Sequence, residues 1–119
     1  MKNVLVVDDS PTDRQHLTDI LAKGGYSVST AASAEEGMAK AKQTKPDLVV
    51  MDVVMPGQNG YQATRELSKD DATKSIPVIL CTSKSQETDR VWGMRQGARD
   101  YVTKPVNGTE LLKKISALG

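Results

Sequence analysis

The sequence predicts a doubly wound α/β fold, in which a parallel sheet of five strands is covered by five helices. Two observations carry this prediction. Short apolar, β-branched runs alternate along the chain with longer amphipathic stretches, which is typical of a parallel sheet covered by helices. The length of 119 residues also suits one domain that buries its own core. We therefore expect one domain over residues 1–119 and no second module.

Five runs have the composition of strands, and their apolar content predicts their order in the sheet. The first, third and fourth runs are the most continuously apolar, which is typical of strands buried on both faces. They are expected in the centre of the sheet, with the other two at its edges, so the predicted order is 2-1-3-4-5. The predicted strands cover residues 4–7, 27–31, 48–51, 78–81 and 101–103.

Capping residues mark the first two helices. Ser10 before Pro11 is a cap followed by proline at the first helical position, and Gly24-Gly25 ends that helix. Ser33, with Glu36 three residues on, predicts a capping box for the second helix.

The last three helices differ in how many apolar residues they offer to the core. The fourth, over residues 86–96, has only Val91 and Met94 as predicted core anchors, and Gly93 inside it lowers helix stability by about 1 kcal/mol. We expect it to be the most mobile helix. The neighbouring helices carry apolar stripes formed by Tyr61, Thr64 and Leu67 in the third and by Leu111, Leu112, Ile115 and Leu118 in the fifth.

Composition and charge exclude several classes of function. The formal net charge is +1 and no Lys/Arg cluster is present, so nucleic-acid binding is not expected. No run approaches the ~18 apolar residues of a membrane span, so direct membrane insertion is not expected. The single cysteine, Cys81, lies within an apolar strand and is expected to be a small buried residue. These features together predict a cytoplasmic protein.

Polar side chains stand where four of the predicted strands end, and they suggest the chemistry. The carboxyl ends of parallel strands meet at one edge of the sheet. The three carboxylates that follow the first and third strands, those of Asp8, Asp9 and Asp52, are therefore expected to crowd together. Such a cluster needs a hard divalent cation with oxygen ligands, for which Mg²⁺ is the natural choice. A lysine and a hydroxyl nearby suit an incoming phosphoryl group, so the constellation predicts phosphoryl transfer. The residues concerned are Asp8, Asp9, Asp52, Thr82 and Lys104.

Four segments resemble the CheY-like receiver family of response regulators in order, spacing and strand context. They are VLVVDDSPTDR, DLVVMDVVMPGQNGY, PVILCTSK and GARDYVTKPV, and together they extend the resemblance over essentially the whole chain. The resemblance implies a flavodoxin-like sheet. The segments NGYQATREL and WGMRQGARDYVTKPV are more similar to the single-domain regulators of type IV pilus twitching-motility systems, which are chemotaxis-like.

The resemblance assigns roles at the acidic cluster. It implies that Asp52 is the nucleophile toward the phosphohistidine of a sensor histidine kinase or histidine phosphotransfer domain. It implies that Asp9 and Asp52 bind Mg²⁺ directly, that Asp8 binds it through water, and that Val54 contributes its main-chain carbonyl.

The resemblance also implies a set of switch residues. Thr82 and Lys104 join Asp52 in the catalytic set, and Thr82 and Tyr101 fall on the switch positions. The bond between Lys104 and Pro105 is expected to be cis. Trp92 is expected to be at least partly exposed and, with Tyr101, to mark a partner face formed by the fourth helix, fifth strand and fifth helix.

The expected protein is a monomeric, stoichiometric phosphoacceptor rather than a turnover enzyme, promoting its own phosphorylation and dephosphorylation. Its output would reach a downstream motility protein. Two alternatives within the family remain: a phosphate sink for a paired regulator, and a pseudo-receiver that only binds partners. Val54 and Lys84 stand where family members tune loss of the phosphoryl group, so the phosphate lifetime stays open.

Two rivals from other classes are less consistent with the first loop. An FMN-binding electron carrier needs N–H groups at its phosphate, whereas Asp8-Asp9-Ser10-Pro11 offers negative charge and lacks a donor. An aspartyl-phosphate hydrolase usually has an acid two residues after its nucleophile, and Ser10 stands there.

Overall fold

The computed structural model describes residues 3–55, 57, 59–83 and 87–118. Strands and helices alternate along them, and each predicted strand is recovered to within one residue at either end. The elements are β1 (Asn3–Val7), α1 (Pro11–Lys23), β2 (Ser27–Ala31), α2 (Ala34–Thr44), β3 (Leu48–Asp52), α3 (Gly60–Lys69), β4 (Val78–Thr82), α4 (Glu87–Arg95), β5 (Asp100–Thr103) and α5 (Gly108–Leu118).

The strands form one parallel sheet in the order β2-β1-β3-β4-β5, which confirms the predicted order. β1, β3 and β4 occupy the centre, where the sheet is covered on both faces, and this explains why their sequences are continuously apolar. The strands are in register at their carboxyl ends. Val7 lies beside Met51, and Asp52 lies beside Cys81, so the loops that follow them open at the same edge.

Alternate side chains of each central strand enter two separate core layers. In β1, Val4 and Val6 face the layer filled by α1 and α5, whereas Leu5 and Val7 face the layer covered by α2 and α3. This is the period-2 pattern of an extended chain buried on both sides.

Side-chain caps fix where α1 and α2 begin. Ser10 Oγ accepts a hydrogen bond from the backbone N–H of Asp13, and Ser33 Oγ accepts one from Glu36. The predicted capping box of α2 is only half formed. In a full box the Glu36 carboxylate would accept from the N–H of the capping Ser33, but here it accepts from the N–H of Ala32. The sequence reasoning missed a full capping box at α3, where Asn59 and Gln62 satisfy each other's backbone N–H groups.

The prediction that Val91 and Met94 anchor α4 in the core is wrong. They are 42% and 39% exposed, whereas Gly93 is the buried position among the residues of the helix whose burial is described. A Cβ at Gly93 would lie 2.6 Å from Leu80 Cδ1 and 3.2 Å from Tyr61 Cε1. The helix backbone therefore packs directly on these side chains, and only glycine permits so close an approach.

Within the described ranges, no helix has both the length and the apolar character needed to cross a bilayer.

Candidate functional site

Three carboxylates meet at the carboxyl edge of the sheet, as the sequence predicts. Asp8 and Asp9 follow β1, Asp52 ends β3, and one carboxylate oxygen from each lies within 4.8 Å of the others. Asp8 and Asp52 are buried, while Asp9 is exposed at the mouth of the site. An all-oxygen donor set that is open on one side fits a hard divalent ion such as Mg²⁺, which retains water ligands.

The loop after β1 is fixed by its own hydrogen bonds. Asp8 Oδ1 accepts from the backbone N–H of Ser10 at 2.9 Å, and the Asp8 carbonyl accepts from Arg14 Nη1 at 2.8 Å. The Asp8 N–H donates to the Ala31 carbonyl at 3.1 Å. The start of α1 therefore holds both the carboxylate and the backbone of Asp8, and the end of β2 holds its backbone.

Lys104 extends from the end of β5 across the acidic cluster. Its Nζ lies 2.8 Å from Asp8 Oδ2, 2.9 Å from Asp13 Oδ2 and 3.3 Å from Asp52 Oδ1. The sequence reasoning missed Asp13, because an acid in the first turn of a helix is ordinarily explained by the helix dipole. A pairing across 91 positions of the chain gives no local signal.

The charges at the site are unbalanced. Burial, followed by the charge of Asp8, raises the pKa of Asp52 to about 6, although Lys104 opposes this shift. Burial would lower the pKa of Lys104, but its hydrogen bonds to Asp8 and Asp13 raise that pKa above its ordinary value. One ammonium thus faces several carboxylates, and the cluster favours an additional cation.

Thr82, Pro105 and Val54, which the sequence also places at the site, follow or end the strands β4, β5 and β3. Thr82 ends β4 with its side chain fully buried, and its carbonyl accepts from the Lys104 N–H at 2.7 Å. The bond between Lys104 and Pro105 is cis, as predicted. Val54 follows Asp52 by two residues, and its side chain is exposed. Lys84, the other position discussed for phosphate lifetime, lies outside the described residues.

The two residues of the predicted partner face are placed differently. Trp92 on α4 is 52% exposed, which confirms the expected exposure. Tyr101 on β5 is only 6% exposed, so in this structure it contributes little to the surface of that face.

The phenol of Tyr101 belongs to a chain of hydrogen bonds. It is hydrogen-bonded to the Tyr61 hydroxyl, and the Tyr61 hydroxyl in turn donates to the Asp89 carbonyl at 3.2 Å. Burial and the neighbouring Tyr61 raise the pKa of Tyr101 above its ordinary value. The three residues join β5, α3 and α4.

The thiol of Cys81 in β4 is inert. Cys81 is fully buried between the helical layers, and burial raises the pKa of its thiol to about 12. A protonated, inaccessible thiol fits the packing role predicted for it.

The fold and the acidic edge are those of a CheY-like response regulator receiver, and residues 4–116 match the model of the response regulator receiver domain. The chain belongs to this family. It is 58% identical over 118 residues to the protein PilH of Pseudomonas aeruginosa, a match that covers 99% of this chain and 98% of PilH. The family resemblance drawn from the sequence motifs is thus confirmed.

Solved structures agree with this assignment. The chemotaxis protein CheY4 of Vibrio cholerae is 32% identical, with a TM-score of 0.92 over 100% of this chain and 99% of CheY4. CheY in the CheX-CheY-BeF3-Mg complex of Borrelia burgdorferi is 28% identical, with a TM-score of 0.92 over 98% of this chain and 88% of that one.

Proposed function

We propose that this receiver accepts a phosphoryl group on Asp52 from the phosphohistidine of a sensor histidine kinase or histidine phosphotransfer domain. The observation that carries the proposal is the convergence of Asp8, Asp9 and Asp52 within 4.8 Å. Lys104 Nζ stands 3.3 Å from the Asp52 carboxylate. The site combines a nucleophile, a cation-binding cluster and a fixed positive charge, which together suit phosphoryl transfer.

In the reaction, an Asp52 carboxylate oxygen forms the bond to phosphorus while the bond from phosphorus to the imidazole nitrogen breaks. The departing imidazole takes up a proton, and the product is an aspartyl phosphate. Asp8, Asp9, Asp52 and the main-chain carbonyl of Val54 would hold Mg²⁺, which would neutralise negative charge on the phosphoryl oxygens. Lys104 and the Thr82 hydroxyl donate to the same oxygens and orient the group.

The reaction is stoichiometric, because the phosphoryl group stays on the protein until water removes it. The exposed, apolar side chain of Val54 offers no group that would orient the attacking water. Any assistance to phosphorylation and dephosphorylation would therefore come from the cation site and Lys104, and the chain turns over no separate substrate.

The output passes through the face formed by α4, β5 and α5, on which Trp92 is exposed. The 58% identity to PilH supports a downstream partner in pilus or chemotaxis-type motility. The chain would act as a monomer in the cytoplasm, where kinases that use ATP operate.

The second candidate is a phosphate sink that draws phosphoryl groups from a kinase shared with a paired regulator. A sink needs only the phosphoacceptor site, because no partner has to sense a change of the face formed by α4, β5 and α5. One observation favours it: Tyr101 is buried and hydrogen-bonded to Tyr61, so it offers a partner little surface on that face. A pseudo-receiver is less well supported, since the acids, hydroxyl and lysine of the site are all present and adjacent.

The test is phosphorylation by a small acyl phosphate, followed by intact-protein mass spectrometry. Asp52→Asn should remove the phosphorylated species, and chelation of Mg²⁺ should remove it from the native chain. Asp19→Asn removes an exposed carboxylate of α1 away from the cluster and is the matched control. Full labelling of Asp52→Asn would refute the assignment.

A further inference from the structure

The Lys104 ammonium contacts three carboxylates, one of which does not belong to the predicted Mg²⁺ site. A lysine ammonium has three N–H donors, and three carboxylates lie within 3.3 Å of its Nζ. Asp8 and Asp52 belong to the predicted Mg²⁺ site, but Asp13 does not. Asp13 is nonetheless one of the two nearer partners, at 2.9 Å compared with 3.3 Å for Asp52.

The position of Asp13 is fixed by the fold. It lies in the first turn of α1, and its backbone N–H donates to the capping Ser10 Oγ at 3.3 Å. Its side chain is 40% exposed, so it reaches Lys104 from the solvent side of the site. Asp13 therefore draws the ammonium toward α1, whereas Asp52 draws it toward β3.

Phosphorylation of Asp52 would add acceptors that compete for the Lys104 ammonium. A phosphoryl group on Asp52 adds negative charge and strong acceptor oxygens at the position that Lys104 must reach. Asp13 competes for the same donors, and its own negative charge repels the added group. Both effects act in the same direction and oppose the phosphorylated state.

We propose that Asp13 is a positioning residue that retains Lys104 on the α1 side and so weakens its engagement with a phosphoryl group on Asp52. The inference rests on the proposed function, since it concerns the same site. Asp13 would thereby set how firmly the phosphorylated state is held, a property that the sequence left open at Val54 and Lys84.

The test is the affinity of the site for beryllofluoride, an inert phosphoryl mimic, at saturating Mg²⁺, followed by amide NMR spectra. Asp13→Asn should bind the mimic roughly two- to fivefold more tightly, which corresponds to the ~0.4–1 kcal/mol of a partly exposed ion pair. Asp19→Asn removes the same charge from α1 without touching Lys104 and should leave the affinity unchanged.

A second background separates positioning from simple charge. In Lys104→Met, Asp13→Asn should tighten binding less than in the native background, because only the direct repulsion between the two negative charges remains. Equal tightening in both backgrounds would reduce Asp13 to a distant charge and overturn the inference. An unchanged or weaker affinity of Asp13→Asn in the native background would overturn it as well.

The outcomes also distinguish this inference from the proposed function. Failure of the native chain to bind the mimic with Mg²⁺ would remove the phosphoacceptor role, and the positioning role with it. Binding by the native chain without any effect of Asp13→Asn would remove only the positioning role. Urea unfolding of the metal-free variants establishes that each of them folds before its affinity is compared.

Discussion

Helices α1 and α4 both cover the sheet, but they are attached to it by different means. α1 buries Leu17 and Leu21 and begins at a side-chain cap from Ser10. In α4 the described large apolar side chains, Val91, Trp92 and Met94, are exposed, and Gly93 makes the buried contact. One helix is held by apolar side chains, and the other by the close approach of its backbone.

The difference has a functional consequence. Local opening costs least where little apolar surface is buried, so α4 should open at a lower free energy than α1. α1 holds the acidic edge of the sheet through Arg14 and the Asp13–Lys104 pair, while α4 belongs to the proposed signalling face. A rigid proposed phosphoacceptor site beside a loosely attached helix would allow a small change at Asp52 to shift the population of α4 positions.

The largest expected effect tests the comparison directly. Leu21→Ala should lower the free energy of unfolding by about 2–5 kcal/mol, because it empties a fully buried position. Val91→Ala, on the exposed side of α4, should change it by less than about 0.5 kcal/mol. Urea unfolding of both variants measures the contrast, and a similar loss in the two helices would contradict it.

The acidic edge held by α1 should itself reduce stability in the metal-free protein. Asp52 has an ordinary pKa of 3.8 when unfolded and about 6 when folded, so the folded chain binds the proton more tightly. Its contribution to the free energy of unfolding therefore falls as pH rises through this interval, and the loss is complete above it. Asp52→Asn removes this loss.

In the presence of a chelator, Asp52→Asn should raise the free energy of unfolding by roughly 1–3 kcal/mol near pH ~7, and by much less near pH ~4. Urea unfolding at the two pH values provides the measurement. Asp19→Asn, at an exposed carboxylate of α1, is the control and should show neither gain. A gain for Asp52→Asn that is independent of pH would mean that titration of Asp52 is not its cause.

A smaller effect tests the hydrogen bond that holds α4. Tyr61→Phe removes the donor to the Asp89 carbonyl, together with the hydrogen-bond partner of the Tyr101 phenol, and should cost at least about 0.5–1.5 kcal/mol. Native-state hydrogen exchange should then quicken at the amides of α4 and not at those of α1. Tyr26→Phe removes a phenol hydroxyl on the α1 and α5 layer and is the matched control. Equal acceleration in both helices would remove the distinction between them.

The sheet and its acidic edge could be predicted because their signals are strong and local. Burial on both faces leaves continuous apolar runs, and parallel strands fix where Asp8, Asp9 and Asp52 meet. Which side of α4 faces the core could not be predicted, because the helix has few apolar residues that would mark a buried side. Judged by helix propensity alone, Gly93 only destabilises the helix. In the fold it makes the buried contact of α4, because the side chains packed against the helix come close to its backbone there.

The contacts that the sequence missed at the site are those that depend on side-chain geometry between distant segments. Asp13 is separated from Lys104 by 91 positions, and the hydroxyl of Tyr61 reaches an α4 carbonyl rather than solvent. Such pairings follow from packing distances of the folded chain, which spacing along the sequence does not encode.

The smallest signal concerns Trp92, and it decides between signalling and the phosphate-sink role. Trp92 is 52% exposed on the weakly attached helix, close in sequence to the Gly93 contact with Tyr61. If phosphorylation draws the Thr82 hydroxyl toward the phosphoryl group, the tyrosine chain and α4 should adjust, and the surroundings of the indole should change. Binding of beryllofluoride with Mg²⁺ should therefore alter Trp92 fluorescence in the native protein and much less in Thr82→Ala. Asp52→Asn controls for effects of the reagents alone. Identical emission with and without the mimic, with binding at Asp52 established by amide spectra, would mean that α4 does not respond. The phosphate-sink role would then be the better account of this receiver.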